Sequence, residues 1–135
     1  AGDVARPPAP AGTASAGAAP AASTLPEENR IYFAFGATAV DAAGRQKALA
    51  HAARLKADPK LVVTVVGHTD HLGSSSYNLA IAEQRAAAVA ALLLANGASR
   101  LQVRRYGIGN EKADDSCRSS ECRRQMRRVD LIYEE

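Results

Sequence analysis

Hydrophobic and polar positions divide the chain near residue 28. The stretch before it, "AGDVARPPAPAGTASAGAAPAASTLPEE", holds five of the six prolines and is otherwise mostly Ala, Gly, Ser and Thr. It offers too little large apolar surface to offset the entropy of ordering, so residues 1–28 are expected to form a flexible tether. Residues 29–135 carry the periodic patterns of a folded domain.

In "RIYFAF", Ile31, Phe33 and Phe35 alternate with Tyr32 and Ala34, which predicts a first strand ended by Gly36. "VDAAGRQKALAHAARLKADP" predicts a helix with Asp41 as N-cap, an apolar stripe of Leu49, Ala52, Ala53 and Leu55, and Pro59 as its stop. "KLVVTVVGH" is the strongest strand signal. Leu61 to Val66 is almost continuously apolar and β-branched, as in a central strand covered on both faces. Gly67 and Gly73 bracket a turn, and Ser74 to Ser76 offer N-caps for the longest helix, Ser75 to Ala95, closed by Asn96 and Gly97. At about 100° per residue its Ala82, Ala86, Val89 and Leu93 share one line.

"RLQVRRYGIG" predicts a third strand with Leu101, Val103 and Arg105 on one side. "RRVDLIY" predicts a fourth, in which Val129, Leu131 and Tyr133 alternate with Asp130 and Ile132. A polar loop with both cysteines lies between them. The order β-α-β-α-β-(loop)-β predicts an α+β two-layer sandwich, its helices on one face of a mixed four-stranded sheet.

Composition refines this picture. The 135 residues suffice for one ordinary domain. Alanine inflates the 47% hydrophobic content and aromatics are only 4%, so Val, Leu, Ile and Ala must build the core. Net charge is a modest +3, yet residues 100–128 hold nine Lys or Arg against four acids. That cluster raises nucleic acid as a partner. The chain has no aromatic stacking series, zinc finger or base-reading basic helix to go with it, and a basic solvated surface is the expectation.

Cys117 and Cys122, in "CRSSEC", suit a local disulfide and hence an oxidising compartment; two reduced thiols in a cytosolic protein is the other reading. No second Cys/His pair lies nearby to complete a structural zinc site. No apolar run reaches the ~18 residues of a spanning segment, and no signal-peptide pattern opens the chain.

The chemistry concentrates in "GHTDHLGSSSYNLAIAEQR", residues 67 to 85. His68, Asp70 and His71 are metal-ligand types, but His51 stands apart on the first helix, and lone histidines are common. No Gly-x-Ser-x-Gly elbow is present. Asp114 and Asp115 read as a solvated loop, so neither metal nor catalytic chemistry is expected. Asp70 ends the most buried strand, where a carboxylate is costly unless engaged. Arg85 sits at the margin of the buried helical stripe and leans back towards the turn with Asp70. The pair is either a salt bridge closing the strand-helix turn or a receptor for a zwitterion. In the second case Asp70 takes an ammonium and Arg85 clamps a carboxylate.

"VVGHTDHLGSSSYNLAIAEQRAAAVAALLLANG", "RYGIGNEKA" and "RQMRRVDLIY" together resemble the OmpA-like C-terminal domain over about residues 30 to 134. That family includes outer-membrane proteins, peptidoglycan-associated lipoproteins and flagellar stator proteins. The resemblance implies non-catalytic, cofactor-free binding of peptidoglycan through the diaminopimelate of its stem peptide. It assigns the ammonium to Asp70 and the carboxylate to Arg85, with Thr69, Asn78, Arg127 and Arg128 around the same cleft. Gly36 stands where the family usually has an aspartate, so a contact there would come from backbone N–H groups. Ala82, Met126 and His71 also depart from common family residues. A Cys-stapled segment before the last strand agrees with Cys117 and Cys122. The location implied is the periplasm of a Gram-negative cell, tethered to the outer membrane through an anchor upstream. The alternative within the same fold is a scaffold domain whose ligand is an envelope protein partner.

Overall fold

A computed structural model describes residues 25–111, 113 and 117–134 of the chain. Most of the expected tether, together with Asp114 and Asp115, lies outside the described residues. Strand β2 (Val63–His68) is central, as its apolar β-branched sequence predicts. It pairs parallel with β3 (Val103–Gly109) and antiparallel with β4 (Arg128–Tyr133), and β4 pairs antiparallel with β1 (Arg30–Tyr32). The strand order is therefore β1-β4-β2-β3.

Helix α1 (Ala42–Ala57) is capped by the Asp41 carboxylate, which accepts from the Gly44 N–H at 2.8 Å. Helix α2 (Ser75–Ala95) is capped by the Ser74 hydroxyl, which accepts from the Tyr77 N–H at 3.2 Å. Both helices contribute to one apolar core. Ala48, Ala52 and Leu55 of α1 join Ala86, Val89 and Leu93 of α2 against Ile31, Val63, Val65, Val129 and Leu131 of the sheet. The strand residues are alternate positions in register, so the helices share one sheet face. Gly67 allows the closest approach, since a Cβ there would lie 2.1 Å from the Ala82 carbonyl oxygen of α2. By length and a mean hydropathy of 1.3, α2 could cross a membrane, although no single apolar run does so. Its buried stripe of Ala82, Ala86, Val89, Ala90 and Leu93 makes it the core helix here.

Several expectations are corrected. Strand β1 ends at Tyr32. A turn from Ala34 to Ala37 follows, with Gly36 at φ +71°, and Phe35 at its tip is 71% exposed rather than part of the core. The buried face of α1 is Gly44, Ala48, His51, Ala52 and Leu55, while Ala53 is exposed. Leu101 falls in a 3-10 turn ahead of β3 and is 88% exposed, because the strand begins only at Val103. The loop between β3 and β4 contains a third helix, α3 (Ser120–Met126), capped by Ser119 and stapled at its start by the Cys117–Cys122 disulfide.

The second face of the sheet is covered only in part. Val66 and His68 of β2 are buried there while Thr64 is half-exposed, so coverage on both faces holds for the end of the strand that leads to Asp70. Ordered structure also begins ahead of residue 29. Glu27–Asn29 form a 3-10 turn, and the carbonyl of Glu28 accepts from His51 Nε2 at 2.9 Å.

Candidate functional site

Strand β2 delivers its C-terminal end into a loop that must satisfy its own polar groups. The register between β2 and β3 shifts after Gly67, and the Thr69 N–H then bonds the Gly109 carbonyl at 2.9 Å. This fixes Thr69 and Asp70 below the surface, 4% and 3% exposed. One oxygen of the Asp70 carboxylate accepts from the Leu72 N–H at 3.1 Å, an Asx-type turn that shapes the loop. Asn78, in the first turns of α2, closes that loop from the other side through a 2.8 Å bond to the Leu72 carbonyl.

Arg85 comes from the middle of α2 and is 1% exposed. Its guanidinium gathers three backbone carbonyls: Ala37 at 2.8 Å, His68 at 3.1 Å and Ala34 at 3.3 Å. The arginine thus welds the Ala34–Ala37 turn to the end of β2, with the buried Phe33 ring 5.2 Å from its Cζ. Burial, followed by the charge of Arg127, lowers its pKa to about 10, with Asp70 acting in the opposite sense. It remains protonated at neutral pH. Three of the five guanidinium N–H groups make these bonds, and the other two make none among the described residues.

Asp70 and Arg85 do not pair with each other. The ion pair forms between Asp70 and Arg127 at 3.2 Å, and Arg127 Nε donates to the Phe33 carbonyl at 3.0 Å. A salt bridge between the two was one of the two readings of the sequence; instead Asp70 is satisfied by Arg127 and Arg85 by carbonyls.

Phe35, Gly36, Thr69, Asp70, Leu72, Gly73, Tyr77, Asn78, Ile81, Arg85 and Arg127 enclose a cleft of about 100 Å³. Pockets that take a whole small molecule run to roughly 300–1,000 Å³, so this one admits only the end of a larger ligand. Thr69, Asp70, Asn78 and Arg85 are buried beneath it, while Phe35, Leu72 and Tyr77 are exposed, so its accessible wall is mostly apolar. The aromatic rim escaped sequence reasoning, because Phe35 was read as a strand residue. Gly36, with its freedom to adopt positive φ, was the signal for the turn.

Arg128 does not reach the cleft. Its side chain follows the opposite sheet face, where Nε donates to Asp130 at 2.9 Å and a terminal nitrogen to the Gln125 carbonyl at 3.3 Å. His68 Nε2 meets the other Asp130 oxygen at 3.2 Å. Burial alone would raise the pKa of Asp130, but His68 and Arg128 outweigh it and hold the carboxyl below its ordinary range. His68 therefore points away from Asp70. Among the described residues no group of three His, Cys, Asp or Glu side chains could hold a metal ion.

Residues 32–127 match the OmpA family. A peptidoglycan-associated lipoprotein of Legionella pneumophila is 35% identical over 113 residues, covering 83% of this chain and 64% of the relative. The corresponding lipoprotein of Brucella melitensis is 32% identical over 101 residues, covering 75% of this chain and 60% of the relative. The chain thus spans less than two-thirds of the length of these relatives. Among solved structures, the peptidoglycan-associated lipoprotein of Burkholderia pseudomallei superposes with a TM-score of 0.75 at 32% identity, over 78% of this chain and 90% of that one. The C-terminal domain of Helicobacter pylori MotB shares the fold, with a TM-score of 0.69 at 20% identity over 78% of this chain and 82% of that one.

Proposed function

Because the chain belongs to the OmpA family, we propose that it binds bacterial peptidoglycan without catalysis, its cleft receiving the diaminopimelate end of a stem peptide. The observation that carries this reading is the meeting of one carboxylate and two guanidiniums in a cleft that admits only a ligand's tip. Diaminopimelate ends in an amino acid, which offers an ammonium or amine N–H next to a carboxylate. Asp70 accepts from the nitrogen. The two spare N–H groups of Arg85 and the guanidinium of Arg127 donate to the carboxylate. Thr69, Asn78 and the backbone N–H groups around Gly36 complete the polar contacts, and the remaining peptide lies across Phe35, Leu72 and Tyr77.

On this reading the domain sits in the periplasm of a Gram-negative cell and holds an outer-membrane-anchored protein to the cell wall. Co-sedimentation of the full chain with purified sacculi tests it. Wild type should pellet, and Asp70→Ala should weaken pelleting about tenfold, the cost of one charge-assisted contact and of a misplaced Arg127. Equal pelleting of wild type and Asp70→Ala would overturn the assignment.

A further inference from the structure

We infer that the Cys117–Cys122 disulfide is a positioning device for Arg127, so that the grip of the cleft depends on the redox state of this pair. The inference rests on the proposed function above and adds a control to the same site.

Arg127 is held from two sides. On its carbonyl side the sheet fixes it: the Arg127 C=O accepts from the Phe33 N–H at 2.8 Å, and the next residue, Arg128, pairs with Tyr32 of β1. On its N–H side, among the described residues, only α3 does so. The Arg127 N–H closes that helix on the Arg123 and Arg124 carbonyls, both at 3.2 Å. The direction of the side chain follows from both sides together. On it depend the contacts to Asp70 at 3.2 Å and to the Phe33 carbonyl at 3.0 Å.

Helix α3 has little of its own to keep it folded. It is seven residues long and buries none of them, whereas isolated helices shorter than about 12–15 residues are marginal in water. Two weak contacts attach it to the sheet. Arg124 lies over the Tyr32 ring at 5.1 Å, and the Gln125 carbonyl accepts from Arg128 at 3.3 Å. The disulfide is the covalent attachment. It ties Cys122, in the first turn, to the buried Cys117 ahead of the Ser119 cap, and so secures the turn whose formation is the costly step of making a helix.

Reduction undoes this while leaving the core alone, since the apolar cluster contains no residue of α3. A dithiol gives two electrons and two protons to the bridge and is itself oxidised to a disulfide. The S–S bond breaks, and Cys117 and Cys122 become thiols. The first turn of α3 then frays, the Arg127 N–H loses its helical partners, and the guanidinium swings from Asp70 towards solvent. Asp70 is left buried without its counter-ion, and the ligand carboxylate loses one of its two cations.

The experiment compares the full chain oxidised, reduced with dithiothreitol, and as Cys117→Ser/Cys122→Ser, each with and without Arg127→Ala. Calorimetry uses a soluble stem tripeptide ending in diaminopimelate. Opening the bridge should lower affinity about fivefold and Arg127→Ala about tenfold, while opening it in the Arg127→Ala chain should add less than about 1.5-fold. An equal loss in both backgrounds, or no loss in the native one, overturns the inference. A second readout needs no ligand: hydrogen exchange of the Arg127 Nε–H, followed by NMR. It should run about tenfold faster once the bridge is open, with the amide signals of Val63, Val65 and Leu131 unchanged. Equal exchange in the two states overturns the inference whether or not the peptide binds. Should the opened forms fail to fold, Ser119→Ala decides, because it weakens α3 with the bridge intact; it should speed the same exchange about twofold, and no change would overturn the inference. If neither peptide nor sacculi bind the oxidised chain, the proposed function falls, and faster exchange on opening still supports the positioning of Arg127.

Discussion

Arg85 has two duties that conflict in most proteins. It is a buried structural brace, joined to three carbonyls from two segments, and it lines the cleft with spare donors. Arg85→Ala should therefore cost about 3–5 kcal/mol of stability, since it leaves three carbonyls without their donor and opens a cavity. Chemical denaturation checks this. Arg85→Lys should recover less than half of the loss, because an ammonium cannot reproduce the planar fork. The importance of Asp70 and Arg85 was legible in the sequence, since one ends a buried strand and the other sits at the edge of a helical stripe. Their partners were not legible from the local pattern, and only the family resemblance set Arg127 near the same cleft. Arg127 reaches Asp70 from 57 positions away, a distance that no local period spans.

At the scale of elements, close approach decides the architecture. Gly67 sits against the backbone of α2, and an added Cβ would lie 2.1 Å from the Ala82 carbonyl oxygen. Gly67→Ala should force α2 off β2, costing about 3 kcal/mol or more. Gly36 offers a contrast. At φ +71° with open space around it, Gly36→Ala pays only backbone strain, about 1 kcal/mol. Thermal melts of the two variants should rank them in that order. The caps of α1 and α2 and the alternation in β4 were readable, because each depends on neighbours within a few residues. Helix α3 was missed although its signals were local: Ser119 at the cap, Glu121 in the first turn, Arg123 and Arg124 in the last. The polar composition and the cysteines drew it into a loop reading. The early end of β1 was missed because the alternation of Ile31, Phe33 and Phe35 outweighed a single glycine.

At the scale of the whole molecule, two buried groups outside the cleft make stability depend on pH. His51 is buried, with Nε2 donating to the Glu28 carbonyl at 2.9 Å and Nδ1 accepting from the Tyr133 hydroxyl at 2.6 Å. Burial, chiefly, lowers its pKa from the ordinary 6.5, with Arg54 acting in the same direction. The unfolded chain therefore binds a proton below pH 6.5 that the folded chain takes up only at lower pH, so stability falls as pH drops below 6.5. Asp130, held below its ordinary 3.8, contributes stability that is present above 3.8 and lost as pH falls through its depressed folded value. Melting temperatures between pH 8 and pH 3, on the order of one unit per step, should show both declines. His51→Gln should remove the first and keep the second.

The strand order β1-β4-β2-β3 belongs to this scale too. A mixed sheet was legible from the element sequence, but the placement of β4 between β1 and β2 depends on long-range pairing that the pattern does not encode. The central claim is that the small cleft at the end of β2 is where peptidoglycan is held. Its most direct test is an NMR titration of the full chain with a soluble stem tripeptide ending in diaminopimelate. The account predicts that the amide signals of Gly36, Ala37, Thr69, Asp70, Asn78 and Arg127 shift together and saturate. Saturating shifts confined to another surface, such as that around Arg105 and Tyr106, or no shifts from a peptide that frees the chain from sacculi, would contradict it.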